Sequence, residues 1–283
     1  MSFSFDRKNF LKAAVTAVVA ASVLAVAACA PTAEVAETTS LPTVTAGKLT
    51  IGTGTPAYEP WVVGDAPESG EGYEAAVAYA VAAELGYDKE DVVWVRTTFD
   101  EAIAPGVKNF DFNLQQYSIT DDRKKNVDFS SPYYETAQTV ITIKGSKAAS
   151  AKSLADLKGL VIGAATGTTS FDAIEKVIKP GSPAQAFNSN DDAKAALSAG
   201  QIDALVVDLP TAFYLTAVEL DGGLIVGQLD GAAAGDQFGL VLDKGSKLTA
   251  KVSAAVDALK ANGTLKKLQD KWLTGSAGAP VLK

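Results

Sequence analysis

The sequence predicts a two-lobed α/β protein whose second lobe is inserted into the first. Three observations carry that expectation. From Lys48 onward short apolar runs alternate with helical segments of apolar spacing, the βαβα order that builds a largely parallel sheet covered by helices. The same alternation restarts at Leu154. Two strands, in "TIKGSK" (142–147) and "VLDKGSK" (241–247), leave through the same Lys-Gly-Ser-Lys turn, which suggests two crossings between one pair of lobes. The first lobe is then residues 47–143 with 238–283, and the second is 144–237.

In order, "KLTIGTG" (48–54) reads as a strand closed by glycines, and "YEAAVAYAVAAELG" (73–86) as a helix ending at Gly86. "VVWVRTTF" (92–99) is a strand, and Asp100 is placed to cap a short helix in "EAIAPGV", cut off by its proline and glycine. "FDFNLQQYS" (110–118) and "TVITIKGS" (139–146) are further strands. After the restart, helix, strand, glycine turn and helix follow in "LADLKGLVIGAATGTTSFDAIEKVI", and helix, strand, turn and helix again in "NDDAKAALSAGQIDALVVDLPTAFYLTAV". "FGLVLDKGSKL" is a strand, and one long amphipathic helix spans "LTAKVSAAVDALKANGTLKKLQDKWL".

The N-terminus has another character. Arg7, Lys8 and Lys12 precede an uncharged stretch, 13–28, which ends in small residues before Cys29. A basic start and a short apolar core describe a secretion signal, and the core is shorter than the roughly 20 residues of a membrane span. Residues 30–46 are rich in Thr, Ala and Pro without an apolar period, the composition of a flexible tether. Without residues 1–28 the chain carries 22 basic and 32 acidic residues, a net charge of −10. That surface argues against nucleic acid or anionic lipid as a partner. The sequence contains no histidine and a single cysteine. An intramolecular disulfide, a Ser-His-Asp triad and a Cys-His pair are therefore excluded, and zinc has none of its preferred ligands once Cys29 is otherwise engaged.

Six motifs in order carry a family resemblance. They are "PAYEPW" (56–61), "GYE" (72–74), "YSITDDRKKNVDFSSPYY" (117–134), "GAATGTTS" (163–170), "AGQIDALVVD" (199–208) and "NGTLKKLQDKW" (262–272). The body resembles the family 3 extracellular solute-binding proteins, the amino-acid receptors of ABC importers, over 47–273. That resemblance implies two Rossmann-like α/β lobes with a ligand cleft between them, joined by two crossing hinge strands, the periplasmic-binding-protein-like fold. Val26-Ala27-Ala28-Cys29 resembles a lipobox, which implies lipidation of Cys29 and anchoring to the outer face of the cell membrane. The expected partners are a free amino acid, an ABC permease and its ATPase, with membrane contact only through the lipid, no cofactor or metal, and a monomeric chain.

A free amino acid presents a carboxylate and an ammonium on one carbon, and burying either unpaired is costly. The planar guanidinium of Arg grips a carboxylate through two parallel hydrogen bonds. The resemblance assigns that part to Arg123 and a hydroxyl to Ser118. On residues alone, Arg123 beside Asp121 and Asp122 reads rather as a surface ion pair, a contact worth at most about 1 kcal/mol. The turn before Thr168 and Thr169 leads into a helix N-terminus, which attracts anions. Asp208 is assigned to the ammonium, a role that competes with capping the next helix.

Tyr58, Trp61, Phe99 and Tyr117 fall at or beside positions that line the side-chain pocket in the family. Thr55 stands where receptors for basic amino acids often place an acid, so the expected ligand is polar and not basic. Gln115 and Gln116 replace small residues of the motif; they either hydrogen-bond a polar side chain, as Gln116 is taken to do, or narrow the pocket. The function expected is capture and delivery to a permease with no bond chemistry. The alternatives are a sensor for a signalling receptor and a cyclohexadienyl-dehydratase-like enzyme, for which Glu59 and Glu74 are the candidate acids.

Overall fold

The structure is a computed structural model that describes residues 41–229, 236–273 and 279–283. The expected leader (1–28), Cys29 and the tether up to residue 40 lie outside the described residues. Numbered along the chain, the strands described are β1 (Leu49–Gly54), β2 (Val92–Thr97), β3 (Phe112–Asn113), β4 (Val127–Phe129), β5 (Tyr134–Thr136) and β6 (Gln138–Ile143). They continue with β7 (Ile162–Ala165), β8 (Gln185–Phe187), β9 (Ala204–Asp208), β10 (Gly223–Leu229), β11 (Asp236–Phe238), β12 (Val241–Asp243) and β13 (Val281–Leu282). The helices are α1 (Tyr73–Glu84), α2 (Phe99–Ile103), α3 (Leu154–Leu157), α4 (Thr169–Ala173), α5 (Asn190–Ser198), α6 (Leu209–Tyr214), α7 (Thr249–Ala261) and α8 (Thr264–Trp272). Both α4 and α6 run on into a π turn, Ile174–Ile178 and Leu215–Glu219.

Two sheets organise these elements. The first has the order β2-β1-β3-β12-β4, and the second β13-β10-β6-β9-β7-β8. Both are more mixed than the alternation suggests. In the first, β12 runs antiparallel to β3 and β4; in the second, β6 runs antiparallel to β9 and β10. The strands that break the parallel pattern are those next to the crossings, where the chain enters a sheet without an intervening helix. Core packing follows the two-residue period of a strand. Val140 and Val206 point into the cluster with Ile162 and Ile174, while Ile141, Leu205 and Val207 point to the opposite face against α5 and α6. Against the first sheet, α1, α7 and α8 bury Val77, Val81, Val252 and Leu265 with Leu49 and Ile51.

The crossings lie elsewhere than the repeated Lys-Gly-Ser-Lys turns. The chain passes between the sheets through β5 and β11, which pair antiparallel with Tyr134 opposite Phe238. The turns at 144–146 and 244–246 end β6 and β12 inside different sheets, so their likeness is one of turn composition. Residues 138–143, expected in the first lobe, form the middle of the second sheet, and the C-terminal strand β13 also joins that sheet beside β10.

Three local expectations are corrected as well. Thr98, not Asp100, caps α2, with Glu101 closing a capping box. The stretch 110–118 is strand only at Phe112–Asn113. The long C-terminal helix is two helices, because Gly263 takes φ +79° between α7 and α8, a left-handed conformation that suits glycine and ends a helix. No helix among the described residues is long and apolar enough to cross a membrane.

Candidate functional site

Arg123 lies in a short 3-10 turn, Arg123–Lys125, between the end of "YSIT" and β4. It is 9% exposed, and its flanking acids do not bind it. Asp121 pairs with Lys124 at 3.3 Å, and Asp122 with Lys125 at 2.6 Å. The surface-pair reading of Arg123 is thereby removed. Its Nη1 donates to the Ser118 carbonyl oxygen at 2.8 Å, and its Nη2 to the Gly167 carbonyl oxygen at 2.9 Å. The plane sits over the Phe99 ring, 5.2 Å from the centroid, a stacking that suits guanidinium. Burial lowers its pKa, and Asp236 and Asp208 act in the opposite direction. Arg123 thus ties a carbonyl beside the first sheet to one beside the second, and has N–H groups left over.

Gly167 makes this approach possible. It takes φ +70°, and a Cβ there would lie 2.8 Å from Asp100 Oδ1, so a side chain would be both strained and crowded. The next residue, Thr168, caps α4: its Oγ1 accepts from the Phe171 N–H at 3.1 Å and donates to the Ala165 carbonyl at 2.6 Å. Thr169 instead reaches across. Its Oγ1 is 3.0 Å from Ser118 Oγ and 2.6 Å from Asp236 Oδ2.

Asp208 sits at the end of β9 and the start of α6, but its side chain makes no capping hydrogen bond. The β6–β9 register sets Gln138 opposite it, and Gln138 Nε2 donates to Asp208 Oδ1 at 2.9 Å and to Asp236 Oδ2 at 2.6 Å. Ser170 Oγ holds the other end of that amide at 2.6 Å. Burial first, and Asp236 second, push the Asp208 carboxyl up to about 8. Two carboxyl groups thus share one amide donor, and the Arg123 guanidinium acts against the upward shift of Asp208.

A second group is built on the N-terminus of α1. The Glu74 N–H donates to the Trp61 carbonyl at 2.9 Å, and Gly72 at φ +100° brings the two segments together, a Cβ there falling 2.4 Å from Trp61 O. Glu74 is 2% exposed. Its Oε1 accepts from the Gln116 N–H at 2.7 Å and from Tyr133 OH, and its Oε2 accepts from Gln116 Nε2. Burial pushes its pKa up to about 7 against those hydrogen bonds. Gln115 Nε2 donates inward to Thr97 Oγ1 at 2.8 Å and to Asn113 Oδ1 at 3.0 Å.

Arg123, Asp208 and Glu74 meet at one cavity of about 170 Å³ between the two sheets, well below the roughly 300–1,000 Å³ of drug-sized pockets. Arg123, Ser118, Asp208, Thr168, Thr169, Tyr58, Phe99 and Gln116 all line it. Trp61 and Tyr117 do not. Trp61 is fully buried among Tyr73, Tyr134 and Phe238, and its Nε1 donates to Thr211 Oγ1 on α6 at 3.0 Å. Tyr117 stacks on Phe99 at 4.5 Å and donates from its hydroxyl to the Phe99 carbonyl at 2.9 Å. Both rings support the wall from behind.

Sequence reasoning missed Gln138 and Asp236, which bond Asp208 and Thr169, and gave Glu74 only an enzymatic role. The available signal was a glutamine opening the apolar strand "QTVITI", buried to 1% exposure. A polar side chain in such a place needs partners.

Comparison with known proteins agrees with this geometry. The description "Bacterial extracellular solute-binding proteins, family 3" matches residues 49–275. An L-arginine-binding protein of Pseudomonas aeruginosa is 34% identical over 243 residues, 83% of this chain and 92% of that one. An ABC transporter glutamine-binding protein of Bacillus subtilis is 30% identical over 73% of this chain and 75% of its own. Among solved structures, an ancestral amino-acid-binding protein described as a precursor of cyclohexadienyl dehydratase is similar with a TM-score of 0.68 and 32% identity, covering 81% of this chain and 96% of that one. This chain, with two α/β lobes around one polar cleft, belongs to the family 3 bacterial extracellular solute-binding proteins.

Proposed function

We propose that the protein is the substrate-binding component of an ABC importer, capturing a free α-amino acid with a polar side chain and delivering it to a membrane permease. One observation carries the reading. Among the described residues, a buried guanidinium with no carboxylate in ion-pair contact, Arg123, and a carboxyl that does not cap its helix, Asp208, line the same cavity. The carboxylate of an amino acid would take the remaining Arg123 donors, and its ammonium would face Asp208. Ser118 and Thr169 flank the same place from opposite sides.

The lobes on this reading are β1–β4 with β12 and helices α1, α2, α7 and α8, and β6–β10 with β13 and α3–α6, the former boundaries moved to the crossings at β5 and β11. A ligand bridging them prefers the closed form, and moving a hinge from 1:99 to 99:1 takes about 5.5 kcal/mol of differential affinity. Two charge-assisted contacts at about 1.5–3 kcal/mol each reach that scale. Export and anchoring through Cys29 complete the proposal.

An enzyme on the same scaffold has one observation behind it, a carboxyl at about pH 7 in the cavity, Glu74, which is a useful range for general acid–base work. Three donors already hold that carboxyl, so capture is the better reading. Thermal unfolding against the free amino acids tests it. A ligand that binds only the folded state adds about 2.7 kcal/mol at a hundredfold excess over its Kd. One or a few amino acids should raise the midpoint, and Arg123→Ala should abolish the effect. Shifts that survive Arg123→Ala would remove the carboxylate clamp from Arg123.

A further inference from the structure

Glu74 borders the cavity, yet both of its oxygens are turned onto the protein. The donors come from two segments far apart in sequence, at Gln116 and Tyr133. Each segment leads to a crossing strand. Just beyond Gln116, the Tyr117 carbonyl oxygen accepts from the Gly239 N–H at 3.0 Å, and the Ile119 N–H donates to the Gln237 carbonyl oxygen at 2.8 Å. From the other side the Tyr133 N–H donates to the Phe238 carbonyl oxygen at 2.9 Å, and β5 follows directly. β11 is thus clasped between the two segments that Glu74 holds. Tyr73, its neighbour in α1, adds a hydrogen bond from its hydroxyl to the Tyr133 carbonyl oxygen at 2.8 Å.

The Gln116 segment also carries the grip on a ligand. Ser118 lies two residues on, and its carbonyl oxygen accepts from Arg123 Nη1 at 2.8 Å. Gln116 meets Glu74 at φ +52°, an uncommon conformation for a residue with a side chain, held only where the surroundings over-determine it. Take the Glu74 acceptors away, and the Gln116 N–H loses its partner while the backbone loses its reason to stay left-handed. Relaxation there moves Ser118. A binding constellation works only when its supporting groups hold it to about 0.5 Å, and a hydrogen bond of 2.8 Å is weakened by a shift of that size. Arg123 would keep its bond to the Gly167 carbonyl oxygen and lose the one that aims it from the first sheet.

Resting on the capture reading, we infer that Glu74 is a positioning residue of the site, which sets the placement of Arg123 through Gln116 and Ser118 while spending both of its oxygens on protein donors. The ligand's side chain does not enter this role, so losing it weakens the grip on every amino acid alike. What the role requires of Glu74 is acceptor oxygens at the end of a side chain of this length. A neutral isostere that keeps one oxygen therefore keeps most of the function, since the Gln116 amide can turn over and present its own oxygen to the new N–H group.

The test is titration calorimetry with each free amino acid that binds the wild type, on Glu74→Met, which fills similar space without an acceptor oxygen, and on Glu74→Gln, which keeps one. Glu74→Met should weaken binding at least about tenfold, by factors that agree within about threefold from one amino acid to the next. Glu74→Gln should recover most of that loss. Urea unfolding of the same variants separates affinity from stability. A Glu74 that merely supports the fold would lower the unfolding midpoint and leave the affinity of the folded variant unchanged, which would overturn the assignment. A loss that Glu74→Gln does not recover, or one confined to particular amino acids, would mean that Glu74 meets the ligand directly, and would overturn it as well. If Glu74→Met does not fold, Tyr133→Phe, outside the cavity lining, removes one donor and should still weaken binding about threefold; unchanged affinity there refutes the role. All of these outcomes leave amino-acid capture intact. If no free amino acid binds the wild type, the capture reading itself fails and takes this inference with it.

Discussion

Asp208→Asn separates what this carboxylate does for a ligand from what it does to the fold. In the ligand-free protein, burial and Asp236 raise its pKa to about 8. The unfolded chain loses the same proton at the ordinary aspartate value near 3.9. Between those values the native state binds more protons than the unfolded state, so stability falls as pH rises through the window and levels off above about 8. At about 1.4 kcal/mol per pH unit, the penalty reaches roughly 4 kcal/mol at pH 7 as an upper bound. Side-chain relaxation and water in the cavity offset part of it. Asparagine keeps an oxygen to accept from Gln138 Nε2, so the variant should recover about 1–2 kcal/mol. With about 2–4 °C per kcal/mol for a chain of this size, the ligand-free Tm should rise by about 2–8 °C at pH 8 and by less at pH 5. Scanning calorimetry across pH 5–9, with and without a binding amino acid, reads both effects. The variant should be the more stable protein when empty and the less stable one when ligand is present. A ligand-free variant that is less stable than wild type at pH 8, or a difference independent of pH, would refute the argument.

Ligand affinity should itself depend on pH. Below about pH 8 the ammonium must displace a proton from Asp208, so affinity should rise, by up to tenfold per unit, between pH 6 and 8; calorimetry in two buffers of different ionisation enthalpy should register proton release. Trp61→Phe removes the donor to the hydroxyl of Thr211, a residue 6% exposed, and should cost about 1–3 kcal/mol. Adding Thr211→Val should return most of that loss in urea unfolding, and a purely additive double variant would contradict the pairing. Gly167→Ala should lose about 1–2 kcal/mol from its left-handed backbone, and Asp100→Ala should relieve the contact with the new Cβ but not the backbone strain.

Arg123 and Asp208 were legible because motif order places them, and the structure brings both to one cavity. Periodicity alone could not have told a buried Arg123 from a surface ion pair, since both readings have the same neighbours in sequence. Trp61 and Tyr117 were misplaced for a related reason: a ring beside a motif can face the cleft or the core, and sequence does not fix its direction. The repeated Lys-Gly-Ser-Lys turns misled because turn chemistry is local, whereas a crossing is set by which sheet accepts the strand. Gln138 and Asp236 are 98 residues apart and become neighbours only through the pairing of β5 with β11. No local pattern encodes that meeting.

That pairing has a consequence for anyone who would alter the protein. Asp236 lies in β11, and β5 runs within two residues of Gln138. On the capture reading, the strands that cross between the sheets and the support behind Asp208 share one residue, Asp236. A substitution there would alter both that support and the mechanics of closure, so a biosensor retuned there would trade sensitivity against signal amplitude. Phe99 and Gln115 stand clear of both crossing strands, and adjustment at those positions offers a separate handle on selectivity.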